Sequence, residues 1–262
     1  MTLELTGTLT RYDWRGFFFN FLETSHDSMR DHRTHRTRML TKRINSLAIL
    51  CVLFAATSAG RTDEPDTKKV ARVLLGAVEN VPWDLCESLG HPAVPALLQI
   101  LQGKGTSAKP SAVLCLGIVG GDEVVLPLIS FLQKGAGRLS TYEYVSKASV
   151  PMALGILVNR TRNDQAYKYL ESGTNYPVWQ DLIKWTSPNH RTDKDRNIYM
   201  ARRSMQALGL TATANAAKAI ANHSCATDET CPLRDIRPQA AETCKLVNEL
   251  GGVKAYFASQ HR

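Results

Sequence analysis

Two apolar stretches near the middle of the chain follow the same helical pattern. Val94, Leu97 and Leu101 share one helix face, and an equivalent set of residues returns 31 positions later. The two copies are Val94, Leu97, Leu98 and Leu101, and then Val125, Leu128, Ile129 and Leu132. One helix pair cannot bury such a face alone. The repeat therefore predicts helix pairs that stack and share one continuous core.

Each copy is followed by a second apolar segment that contains the tripeptide Leu-Gly-Ile. These segments centre on Gly117 and Gly155, and a looser version, Leu-Gly-Leu, surrounds Gly209. A glycine inside a helix costs about 1 kcal/mol relative to alanine. We therefore expect each of these glycines to lie where two helices approach closely.

The apolar pattern divides the chain after residue 60 into successive helix pairs. The expected pairs occupy residues 69–89, 91–121, 122–160 and, less regularly, 163–209. This arrangement predicts no strand between residues 91 and 160, and it places Leu98 and Ile129 in the shared core. Residues 222–262 are expected to form a cysteine-bearing loop and a final helix.

The segments that open the two clearest pairs resemble the HEAT-repeat family, including its short bacterial form. They read His-Pro-Ala-Val-Pro-Ala-Leu-Leu at 91–98 and Gly-Asp-Glu-Val-Val-Leu-Pro-Leu at 121–128. The resemblance covers about residues 67–221. It implies an all-α fold, a right-handed α-α superhelix (a solenoid) of about three to four HEAT-like helix pairs within residues 60–221, closed by a C-terminal helical cap. It also implies a scaffold that binds another protein, and it contributes no catalytic residues. The alternative fold is an irregular helical bundle with two similar hairpins.

Residues 39–59 have the layout of a secretory signal peptide. A basic lead at 42–43 precedes an uncharged run at 47–59, which ends in small residues. The run is shorter than the roughly 20 apolar residues that a membrane span needs. We expect translation to begin at Met39, residues 1–38 to be disordered and outside the natural product, and the protein to be exported to the periplasm or the extracellular space. The alternative is a signal anchor that stays in the membrane and faces outside.

An insertion at residues 172–197 interrupts the last helix pair. In helical-repeat proteins such insertions often form the binding face, and tryptophan, tyrosine and arginine are enriched at interface hot spots. The predicted protein-binding residues are Tyr176, Trp179, Trp185, Arg191, Arg196, Arg202 and Arg203. The alternative is that both tryptophans fill the core beneath the insertion.

Five of the six cysteines lie after the leader. Because an exported protein can keep disulfides, we expect one bridge among Cys225, Cys231 and Cys244, and we favour Cys225–Cys231, which closes a short polar loop. Cys86 and Cys115 lie in apolar helical segments and are expected to be buried thiols. A zinc site made from these loop cysteines and His223 lacks closely spaced ligand pairs, so no metal site is expected.

Charge and motifs narrow the function without identifying it. After residue 60 the chain has 24 Lys and Arg and 19 Asp and Glu, a net charge of +5 that allows an acidic partner. A continuous basic stripe for nucleic acid is missing, as are common catalytic and phosphate-binding motifs, and no cofactor is indicated. We expect an exported scaffold. The alternatives are an enzyme or lyase-like accessory protein with its site at 172–203, including His190, Asp193 and Arg202, and a membrane-tethered structural domain.

Overall fold

Helices occupy the segments whose apolar residues have helical spacing. The computed structural model describes residues 66–75, 83–103 and 107–260, which lie within one compact unit, Asp63–Arg262. The helices are α1 (Thr67–Leu75), α2 (Trp83–Leu89), α3 (Val94–Gln102), α4 (Lys109–Val119), α5 (Val125–Gln133), α6 (Thr141–Ala148), α7 (Val150–Thr161), α8 (Asp164–Gly173), α9 (Val178–Leu182), α10 (Asp193–Thr211), α11 (Ala214–Ala221), α12 (Ile236–Glu249) and α13 (Val253–Ser259). The all-α class is confirmed. The leader at 39–59 and the segment 1–38 lie outside the described residues.

The helices form two packed layers. The second helices of successive pairs, α2, α4, α7, α10 and α12, each contact the next, while among the first helices α1 contacts α3 and α3 contacts α5. Leu97, Leu128 and Leu154 are among the fully buried side chains between the layers. The described residues contain five successive pairs, one or two more than predicted, because α11 and α12 add a pair after α10.

Glycines in the second helices lie against the backbone of the next second helix. A methyl group added to Gly117 would lie 2.5 Å from the carbonyl oxygen of Ala153, and the equivalent distance is 2.6 Å for the other two pairs. The contacts are Gly117–Ala153, Gly155–Ala207 and Gly209–Ala240. The predicted close helix approach is therefore confirmed at all three glycines.

Polar contacts connect the starts of successive first helices. His91 Nε2 lies 3.1 Å from Glu123 Oε1, and Asn163 Nδ2 donates to Asp122 Oδ1 at 2.7 Å. The Asn163 side chain also accepts from the backbone N–H of Ala166, which caps α8. The same turns that begin the helices therefore also join neighbouring pairs.

The prediction that no strand lies between residues 91 and 160 is wrong. Strand β1 (Ala136–Arg138) follows α5 and pairs in parallel with β2 (Lys184–Thr186), which lies in the insertion. The link after α5 includes Gly137, whose φ of 75° favours glycine. Strand β2 of the insertion supplies the hydrogen-bonding partner for this link. Leu98 and Ile129 are half-buried rather than buried.

The final helix runs back towards the first pair instead of covering only the last one. Lys254 on α13 forms ion pairs with Glu87 at 2.5 Å and with Asp84 at 3.5 Å, and the rings of Phe257 and Trp83 lie 6.1 Å apart. The predicted C-terminal helical segment is present. Its contacts with α2 connect the two ends of the helix array.

Candidate functional site

The two tryptophans of the insertion lie in the core. Trp179 and Trp185 are both 0% exposed. The indole N–H of Trp179 donates to the carbonyl oxygen of Gly173 at 2.7 Å, and that of Trp185 donates to Leu132 at 2.8 Å. The alternative interpretation, that the tryptophans fill the core beneath the insertion, therefore describes their position.

Two of the four predicted binding arginines are also buried. Arg196 donates to the carbonyl oxygen of Trp185 and to Asp193 Oδ1, so it fixes the insertion to the start of α10. Arg203 donates to the carbonyl oxygen of Ala148 at 3.2 Å. Both guanidinium groups hold backbone segments together, and neither lies on the accessible surface.

Three of the predicted binding residues remain accessible. Arg191 is exposed and Tyr176 is half-buried. Arg202 is half-buried and makes a bidentate pair with Asp235, with distances of 2.6 and 2.7 Å. Of the seven predicted protein-binding residues, these three remain available to a partner, and the binding role of the insertion stays a prediction.

The residues named for a catalytic alternative each have a different partner. His190 Nε2 lies 2.9 Å from the hydroxyl of Tyr144, and burial lowers the pKa of His190. Asp193 pairs with Arg196 at 2.9 Å, and Arg202 pairs with Asp235. The insertion therefore does not bring His190, Asp193 and Arg202 into one hydrogen-bonded group among the described residues.

A cavity of about 750 Å³ lies elsewhere, between the first two clear helix pairs. We call it the Phe131 cavity; the pattern of the sequence does not predict it. Its apolar lining consists of Leu98, Leu101, Pro127, Phe131 and Leu139. Its charged lining consists of Lys109, Lys134, Arg138, Glu143 and Lys147. Four cations and one carboxylate give this lining a net positive charge.

Lys147 is the most deeply buried of these cations. Its side chain is 2% exposed, and its ammonium group donates to the carbonyl oxygens of Phe131, Leu132 and Lys134. These acceptors lie at the carboxyl end of α5, where a helix leaves carbonyl groups without internal partners. Burial lowers the pKa of Lys147 to about 8. The negative charge of Glu143 opposes this shift, and the positive charges of Lys109 and Lys134 add to it.

The second buried cation, Lys109, is positioned by Glu143, the one carboxylate among the described residues of the cavity lining. Lys109 Nζ lies 2.7 Å from Glu143 Oε2, and Lys109 is 4% exposed. The ammonium nitrogen of Lys147 lies 4.6 Å from the centroid of the Phe131 ring, and that of Lys109 lies 5.6 Å from it. Cations near an aromatic face interact favourably with the ring. The cavity therefore combines an aromatic surface with two fixed positive charges.

This arrangement can bind but lacks an obvious chemical step. Lys147 has all three donors directed at carbonyl oxygens, and Lys109 is ion-paired, so neither amine is free to act as a nucleophile. A ligand that carries a carboxylate and an apolar group would satisfy the remaining positive charge of Lys134 and Arg138, both of which are exposed. The signal in the sequence was Lys147 itself, a lysine within an otherwise apolar or small-residue segment.

Among the cysteines that the structure describes, two pairs lie at bonding distance. The predicted Cys225–Cys231 pair is present, with its α-carbons 5.2 Å apart. Cys86 and Cys115, expected as buried thiols, are paired as well, with α-carbons 5.1 Å apart. They are buried as expected, but stacking of α2 on α4 brings two residues 29 positions apart into contact. Cys244 is a buried free thiol.

Comparisons with known proteins identify no relative: no family model, curated protein or solved structure matches the chain. The resemblance to HEAT repeats therefore stays a prediction. In the part of the chain that the structure describes, no helix combines the length and apolar character that crossing a membrane requires.

Proposed function

We propose that the chain is a HEAT-like α-solenoid that serves as an exported scaffold and binds an acidic segment of another protein in the Phe131 cavity. On this proposal it has no catalytic role of its own. The successive contacts of α2, α4, α7, α10 and α12, and the three repeated Gly–Ala contacts, support a solenoid because they repeat one packing geometry from pair to pair.

The observation that carries the proposal is the charge and shape of the Phe131 cavity. Buried cations are unusual unless they are paired. Lys109 is paired with Glu143, and Lys147 with carbonyl oxygens at the end of α5. Their ammonium groups lie 5.6 and 4.6 Å, respectively, from the centroid of the Phe131 ring. Lys134 and Arg138 add exposed positive charge at the same cavity. A peptide with acidic residues beside a leucine or phenylalanine complements both features.

Two observations support export. The leader pattern at 39–59 is that of a secretory signal peptide, and the two cysteine pairs are typical of an oxidising environment. A partner of this protein would then itself be an exported or envelope protein.

Fluorescence anisotropy with labelled peptides tests the proposal. The probe is a peptide with glutamates flanking a central Leu-Phe, compared with a peptide in which lysines replace the glutamates. We expect the acidic peptide to bind more tightly, and added salt to weaken this binding. The double variant Lys134→Glu and Arg138→Glu should weaken binding by at least about 10-fold, since each reversal replaces an attraction with a repulsion.

The matched control reverses two exposed lysines away from the cavity, Lys168→Glu and Lys218→Glu. It changes the net charge equally and should leave the affinity within about 2-fold, because neither lysine lines the cavity and interactions between separated exposed charges are screened by salt. Equal affinity for the acidic and basic peptides, or equal losses in the two double variants, would show that the cavity is not the binding site.

A further inference from the structure

Three side chains with metal-ligating atoms meet in the loop between α11 and α12. His223, Cys225 and Cys231 each offer one such atom, and the three atoms lie within 4.8 Å of one another. Cys225 is buried, while the other two residues are half-buried. This convergence was not expected, because sequence spacing alone suggested no closely spaced ligand pair.

The imidazole of His223 is already oriented by its neighbours. Nδ1 accepts a hydrogen bond from the backbone N–H of Cys225 at 3.3 Å, and the ring also hydrogen-bonds to the backbone of Thr174. A second hydrogen bond that fixes the ring is the usual accompaniment of a histidine ligand. To bind a metal through Nδ1, His223 gives up the hydrogen bond from Cys225, while the hydrogen bond to Thr174 still orients the ring.

Arg237 supplies a second observation that points to a ligand. It lies within electrostatic reach of His223, and its Nε is buried without a hydrogen-bond partner among the described residues. Buried donors are normally satisfied. A thiolate formed in this loop on reduction is a hydrogen-bond acceptor, and a cation near a cysteine favours the thiolate over the thiol.

We propose that, when the Cys225–Cys231 disulfide is reduced, this loop binds one Zn²⁺ through His223, Cys225 and Cys231. The reduction takes two electrons and two protons from an external dithiol, which becomes a disulfide and leaves two thiols on the chain. Zinc binding then releases those two protons, and the ion keeps one position for water. Thiolate and imidazole ligands suit zinc, and three protein ligands plus water is an established zinc arrangement.

The disulfide and the metal are thus alternative ways of closing the same loop. Cys244 takes no part, because it does not belong to the cluster and is a separate buried thiol on α12. The second cysteine pair, Cys86–Cys115, also lies outside the cluster. Both serve as internal references for a test.

Zinc titration of the full-length chain in competition with a chromophoric chelator tests the proposal. After reduction with a phosphine, the chain should bind about one Zn²⁺, and the oxidised chain should bind none. Cys225→Ser and Cys231→Ser should each weaken binding by at least about 100-fold and His223→Gln by at least about 10-fold, since loss of even an outer-shell partner costs 10–100-fold. Cys244→Ala should bind as the unmutated chain does.

A second measurement uses the unmutated chain and therefore does not depend on the folding of any variant. Saturating Zn²⁺ should slow reoxidation of Cys225–Cys231 in the unmutated chain while leaving the reoxidation rate of Cys86–Cys115 unchanged, as followed by peptide mass mapping after alkylation. The proposal is overturned if the reduced chain binds no zinc, if Cys225→Ser binds as tightly as the unmutated chain, or if zinc slows both pairs equally.

Discussion

Gly155 on α7 lies against the backbone of Ala207 on α10, so closely that an added methyl group would stand 2.6 Å from the carbonyl oxygen of Ala207. This distance leaves no space for a larger residue, because real Cβ atoms do not approach oxygen so closely. The same relationship joins α4 to α7 and α10 to α12. The second-helix layer is therefore held at backbone contact, and its spacing is set by glycine.

The Cys86–Cys115 bridge should contribute measurably to stability. In the chain-entropy relation, a bridge between residues 29 positions apart stabilises the fold by about 3–4 kcal/mol. We expect the double variant Cys86→Ala and Cys115→Ala to lose about this amount in urea unfolding. The corresponding variant of Cys225 and Cys231, six positions apart, should lose only about 2–3 kcal/mol. Equal losses from the two variants would contradict the loop-length argument.

Replacing Lys147 with methionine should destabilise the protein. The change keeps an unbranched side chain, one atom shorter, but leaves carbonyl groups at the end of α5 without their donor, at a cost of about 1–3 kcal/mol in the free energy of unfolding. Lys134→Met is the matched control, since Lys134 is exposed and should change stability by less than about 0.5 kcal/mol. An unaltered unfolding midpoint for Lys147→Met would contradict the capping role.

The contribution of Lys147 to stability should depend on pH in the alkaline range. Its pKa is about 8 in the folded chain and its ordinary value is 10.5, so between these values the unfolded chain binds more protons than the folded one. Stability from this residue should therefore increase as the pH rises from about 8 towards 10.5. The measurement is the difference in unfolding free energy between the unmutated chain and Lys147→Met at about pH 7.5 and about pH 9.5. A constant difference would contradict the lowered pKa.

Helical periodicity predicted the local structure well because it reports which face of a segment is buried. Helix α2 lies within the pair predicted at 69–89, and α3 and α4 lie within the pair predicted at 91–121. The glycines were informative for the same reason: a residue that disfavours helices, found inside one, indicates a packing requirement.

Long-range relationships could not be read from the pattern. Cys86 and Cys115 look like small apolar residues until α2 stacks on α4, and three-residue strands such as β1 and β2 carry no alternation that predicts their pairing. The Phe131 cavity depends on Lys109 and Lys147 meeting from two different helices. Amphipathic spacing describes one helix at a time, so it does not predict which side chains of different helices come into contact.

The stability of Gly155→Ala, compared with Gly103→Ala, tests the stacked array most directly. Gly103 follows α3 at an ordinary φ of −63°, and the nearest atom to an added methyl group lies 3.4 Å away, so alanine there should be neutral or stabilise by up to about 1 kcal/mol. At Gly155, helix propensity alone would add about 1 kcal/mol of stability. We expect instead that Gly155→Ala destabilises the protein by about 1–3 kcal/mol or more, because α7 and α10 are forced apart. If Gly155→Ala stabilises the protein as Gly103→Ala does, the helices are not packed at backbone contact and the array proposed here is wrong.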